Sequence, residues 1–109
     1  MPFQQILPEQ LKTAPLATRK SKSKLKDILV DVASLPPAPP RMQAIIEETA
    51  ERMRAARQHN AAVILAFGAH LVKNGLAPVV IKLLETGWIT HLATNGAGII
   101  HDWEFAWMG

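Results

Sequence analysis

The residues best suited to chemistry are Thr94-Asn95-Gly96-Ala97-Gly98, because of what flanks them. Trp88 to Ala93 has the length and β-branched content of a buried strand. Ile99, Ile100, Trp103, Ala106 and Trp107 then recur at helical spacing. A glycine turn between a strand and a helix points backbone N–H groups at the helix N-terminus, where a nucleotide phosphate is favoured. The plain alternative is a tight strand-to-helix turn with no ligand. Gly96 and Gly98 form a Gly-x-Gly in which His101 stands where a third glycine would complete the dinucleotide fingerprint, so that signal alone is weak.

A second copy of the pattern strengthens the reading. Ala61 to Phe67 is a continuous apolar run bounded by Gly68-Ala69-His70. A helix is expected from about Leu76 to Glu85, with Pro78 in its first turn and Gly87 as its stop. Strand, glycine loop, helix, strand, glycine loop, helix is a Rossmann-like βαβα unit of a parallel sheet. Both loops then lie at the carboxyl edge, where α/β ligand sites form.

Side chains near these loops have assignable roles. Asn95 offers amide donors and acceptors in a turn that excludes bulk. His70 and His101 follow strands on the ligand edge, where each can reach a cofactor hydroxyl or phosphate, or simply cap its loop. Asp102 near a helix start suits a ribose hydroxyl better than a phosphate. Lys73 beside the first loop reads most simply as a surface lysine, and His91 as a structural strand residue. The serines are Ser21, Ser23 and Ser34, all upstream, and cysteine and tyrosine are absent, which argues against several familiar nucleophiles. The four histidines, His59, His70, His91 and His101, lack i,i+4 ligand spacing, so no metal site is expected.

From Leu65 to Asp102 the chain resembles the amino-terminal part of the NAD domain of deoxyhypusine synthase. That family has an apolar strand, a Tyr-Thr-Ser-Asn-Leu type loop, a helix opening near Ser-Gly, and a second strand leading into Thr-Thr-Ala-Gly-Gly and an acidic pair. The corresponding residues here are Phe67-Gly68-Ala69-His70-Leu71, Asn74-Gly75, Thr94-Asn95-Gly96-Ala97-Gly98 and His101-Asp102. The likeness covers about a third of the chain, in order. It implies NAD as cofactor, held by Gly68, Ala69, His70, Thr94, Asn95, Gly96, Ala97, Gly98, His101 and Asp102. It also implies oxidation of a polyamine by NAD and transfer of an aminobutyl group, through an imine on an enzyme lysine, to an acceptor protein. Gly68, Ala69 and His70 replace the family's hydroxyl and amide donors, and His101 replaces one acid. The shared site is therefore implied more strongly than the shared substrate. The family's lysine nucleophile maps to no residue here.

The remaining sequence must position these loops. At 109 residues and 49% hydrophobic composition the chain is one domain at most, with no run long enough for a transmembrane helix. No signal-peptide pattern is present, so a cytoplasmic location is expected. Residues 1–24 read as a flexible arm containing Pro2, Pro8 and Pro15. Five basic residues fall between Arg19 and Lys26, giving much of the net charge of +3. Without interleaved aromatics this run reads as solvated rather than as a nucleic-acid platform. Residues 25–40 form a short amphipathic helix (Leu25, Ile28, Leu29, Val32, Ala33) and a Pro-rich linker, and 41–109 a partial NAD-binding domain. Within it, Met42, Ile45, Ile46, Thr49, Met53 and Ala56 make one stripe on an Arg41–Gln58 helix.

The final helix is apolar nearly all round, with Trp103, Phe105, Trp107 and Met108 before Gly109. Such a helix needs cover, so a fragment of a larger domain, or a homo-oligomer of at least two chains, is expected. Tetrameric assembly in the resembled family points the same way. A different function class stays open: a non-catalytic α/β interaction module whose basic arm binds an acidic partner.

Overall fold

The computed structural model describes residues 3, 5–34 and 36–108; Pro2 of the expected arm and Gly109 at the expected apolar end lie outside the described residues. The arm contains single 3-10 turns at Pro8–Gln10 and Leu16–Thr18. The helix expected over Leu25 to Ala33 is split. Helix α1 covers only Leu25–Ile28, and a 3-10 turn follows at Val32–Ser34. The cause is tertiary: the Val30 N–H donates to the Gly75 carbonyl at 3.0 Å, and the Asp31 side chain accepts from the Ala33 N–H at 2.9 Å. These bonds displace the helical pattern.

Helix α2, Pro40–Gln58, opens on proline, whose missing N–H costs nothing in a first turn. Strand β1 is Ile64–Phe67, α3 is Ala69–Lys73, α4 is Ala77–Glu85, β2 is His91–Thr94 and α5 is Gly96–Met108. The strands are parallel neighbours, with Ile64 opposite His91 and Phe67 opposite Thr94. The chain is thus a mixed α/β fold around a two-stranded parallel sheet, as the alternating pattern leads one to expect. The crossover contains two helices rather than one.

Three helices end in the same Schellman motif, and this explains the element boundaries. After α2, Asn60 adopts a left-handed φ of 51° and the Ala61 N–H donates to Ala56 O. After α3, Gly75 (φ 72°) lets the Leu76 N–H reach Leu71 O; after α4, Gly87 (φ 73°) lets the Trp88 N–H reach Leu83 O. Gly87 is the stop its position suggested. Because the Trp88 and Ile89 N–H groups both turn back to Leu83 O, β2 begins at His91 instead of Trp88. The first strand likewise starts at Ile64, later than Ala61.

Threonines brace the short ladder at both ends. Thr90 Oγ1 accepts from the Val63 N–H at 2.9 Å, and Thr94 Oγ1 donates to the Phe67 carbonyl at 2.9 Å. Among the described residues the buried apolar side chains are Val72 on α3, Val80 on α4 and Ile89 just before β2. Continuous apolar strands suggested burial on both faces, yet β1 alternates exposed and half-buried residues and all of β2 is exposed. The accessible surface is 9167 Å², against roughly 6,000 Å² for a compact monomer of this mass. The radius of gyration, 19.1 Å, likewise exceeds the ~13 Å of a compact domain this long. Among the described residues no helix is long and apolar enough to cross a membrane.

Candidate functional site

The two strand-to-helix turns lie side by side at the carboxyl edge of the sheet. Each is shorter than the sequence suggested. Gly68 alone separates β1 from α3, so Ala69 and His70 belong to the first turn of a helix and not to a loop. Thr94 ends β2 and Gly96, Ala97 and Gly98 open α5, leaving Asn95 as the single connecting residue.

Asn95 organises this junction. Its Oδ1 accepts from the Gly98 N–H at 3.1 Å, in the manner of a helix N-cap. Its amide also faces Gly68: a Cβ built on Gly68 would lie 3.6 Å from Asn95 Nδ2. Asn95 is thus a capping residue of the second turn that lies beside the first, and its Oδ1 is already engaged.

The glycines divide by role. Gly98 is buried, and a Cβ there would overlap Thr94 Oγ1, so it lets α5 pack closely on the end of β2. Around Gly96 nothing lies within 4 Å of a Cβ position. The N–H groups of Gly96 and Ala97, both exposed residues, precede the intrahelical ladder in the first turn of α5. A thirteen-residue helix gives them a favourable dipole for an anion.

The remaining residues separate onto two flanks. Asp102, one turn beyond Gly98, borders an apolar cleft of about 260 Å³ with Phe67, Leu71, Leu92, Thr94 and Ile99. His101 lies on the opposite flank, where its Nδ1 is 2.9 Å from Glu104 Oε2. Both sit in the second turn of α5, one turn later than their spacing suggested. His70 is exposed on α3 and has no side-chain hydrogen bond among the described residues, so it does not converge with the others.

The basic run is not wholly solvated. Arg19 Nη1 pairs with Glu104 Oε1 at 2.7 Å, and Ser21 Oγ approaches the Met108 carbonyl at 3.4 Å. Glu104 therefore bridges Arg19 and His101. Partial desolvation pushes its carboxyl up, but the hydrogen bonds and charges of Arg19 and then His101 outweigh this and hold it below its ordinary value. Sequence reasoning saw the charge run but missed its docking on α5, which no periodicity signals. It also missed the cleft lining from Leu71 and Leu92, whose apolar character looked like ordinary core.

Among the described residues no group of three His, Cys, Asp or Glu side chains could hold a metal ion. Compared with models of protein families, with characterised proteins and with solved structures, the chain matches none.

Proposed function

We propose that this chain carries the first part of an NAD site of the deoxyhypusine-synthase-like kind. The supporting observation is the juxtaposed pair of turns at the carboxyl edge, with Gly68 against Asn95 and open space over Gly96. In this reading the pyrophosphate lies on the N–H groups of Gly96 and Ala97, where the helix dipole favours it. The apolar cleft takes a ring and the Asp102 carboxylate accepts from a ribose hydroxyl. At about 260 Å³ the cleft accommodates part of a dinucleotide, in keeping with a Rossmann-like unit that belongs to a larger domain.

The resemblance extends the proposal to an NAD-dependent transferase acting on a polyamine-type substrate, with an acceptor protein. In that chemistry NAD takes the hydride from the amine and an enzyme lysine carries the aminobutyl group as an imine; no lysine of these 109 residues is assigned that second role. Assembly is part of the same reading. Ile99, Ile100, Trp103 and Trp107 are exposed, the two indoles at 49% and 54%, and α2 has no fully buried residue. We assign these surfaces to a homo-oligomeric contact. Calorimetric titration with NAD tests the cofactor reading: saturable heat supports it, and its absence at millimolar NAD overturns it. Sedimentation at micromolar concentration tests assembly, for which a folded monomer is the contrary result.

One observation favours the interaction-module reading as the second. Met42, Ile45 and Ile46 form an exposed apolar stripe on the N-terminal half of α2, as a partner-binding helix would. That reading predicts indifference to NAD and loss of an acidic partner when residues 1–24 are deleted.

A further inference from the structure

The docked arm creates a second cleft, on the flank of α5 away from Asp102. It measures about 310 Å³ and is lined by Arg19, Lys20, Lys22, Lys73, His101 and Glu104, among others. Its charge is unbalanced. Arg19 is paired with Glu104, whereas Lys20, Lys22 and Lys73 have no acidic partner within 4.0 Å among the described residues. Three like charges around one concavity repel each other unless an anion joins them. The Ser21 and Ser23 hydroxyls and the His101 ring add further hydrogen-bonding groups to the wall. The same charge excludes a polyamine from this flank.

We propose that this cleft binds a diphosphate group with a free terminal phosphate. Three uncompensated ammonium groups match its roughly three negative charges near neutral pH, and charge-assisted hydrogen bonds from lysines would hold its oxygens. A cleft of about 310 Å³ fits such a group, free or at the end of a nucleoside diphosphate, better than an extended polymer. The site has two walls from distant parts of the chain, the arm with Lys20 and Lys22 and the end of α3 with Lys73. It is distinct from the Gly96 turn and does not depend on the NAD reading.

The experiment is calorimetric titration of the chain with inorganic pyrophosphate at constant ionic strength, with ADP and NAD as parallel arms. Saturable binding is expected, and Lys73→Gln should raise Kd on the order of tenfold, the worth of one charge-assisted hydrogen bond. Lys20→Gln/Lys22→Gln should raise it further, while Lys24→Gln/Lys26→Gln, which removes equal charge outside the cleft, should leave it within about twofold. ADP binding as tightly as pyrophosphate identifies a nucleotide source, and pyrophosphate alone identifies a free one; both support the site. Indifference to Lys73→Gln overturns it, because the arm then binds as a free basic peptide. Equal losses from both double variants, with tighter binding of single-stranded RNA, overturn it as well. NAD affinity should not change in the Lys20→Gln/Lys22→Gln variant, so this proposal and the cofactor reading fail separately.

Discussion

The contact between Gly98 and Thr94 holds the candidate site together, and replacing Gly98 by alanine tests it. In an ordinary helix Gly→Ala stabilises by about 1 kcal/mol. Here the new Cβ would overlap Thr94 Oγ1, which donates to the Phe67 carbonyl at 2.9 Å. Threonine is β-branched and stiff at χ1, so relief requires breaking that bond or shifting α5. Losing the hydrogen bond and overpacking together cost about 2–3 kcal/mol, which exceeds the helix gain. Gly98→Ala should therefore destabilise the protein by about 1–2 kcal/mol. In a Thr94→Ala background the obstacle is gone, and the same substitution should stabilise by up to about 1 kcal/mol. The assay is urea denaturation of the four proteins of the cycle, read as a coupling of about 2–3 kcal/mol. Equal effects of Gly98→Ala in both backgrounds would refute the reasoning.

Other consequences follow from the same geometry. Gly75→Ala puts a Cβ on the Ile28 carbonyl in a left-handed residue, so it should release the segment around Val30 and cost about 1–2 kcal/mol or more; hydrogen exchange at Val30 checks this, since its amide loses the Gly75 acceptor. Glu104 has a folded-state pKa below its unfolded one, so its pairing with Arg19 contributes above the ordinary carboxylate range and is lost as pH falls through the depressed value. NMR of the Arg19 guanidinium should show acid release of the arm, and Glu104→Gln should remove that pH dependence. Gly96→Val should leave the fold intact, because its Cβ position is open, yet abolish NAD binding; a valine variant that still binds NAD contradicts the placement of the pyrophosphate.

Local signals carried well where a local bond decides the outcome. The stripe from Met42 to Ala56 and the prolines before it announce α2, and Gly87 announces the end of α4. The strand-like run before Thr94 and the helical spacing after Gly98 announce the strand-to-helix junction at which both residues stand. What was not legible depended on distant partners. Leu25 to Ala33 has helical spacing, but the Gly75 carbonyl captures Val30 and breaks the helix. Ala69 and His70 looked like a loop after a glycine, yet α3 follows at once and ends in the Gly75 motif that also docks α1. Asn95 has the chemistry of a ligand contact, but its second role, the Oδ1 that caps α5, depends on where the Gly98 N–H falls. Arg19 pairs with Glu104 from the other end of the chain, a contact that no local pattern around the basic run signals.

The central claim is the location of a dinucleotide at the carboxyl edge, and backbone NMR during NAD titration addresses it directly. The account predicts saturable shifts of the Gly68, Gly96 and Ala97 amides, followed by Asp102 and the residues lining its cleft. Unchanged spectra at millimolar NAD, or shifts confined to the basic arm, would contradict it.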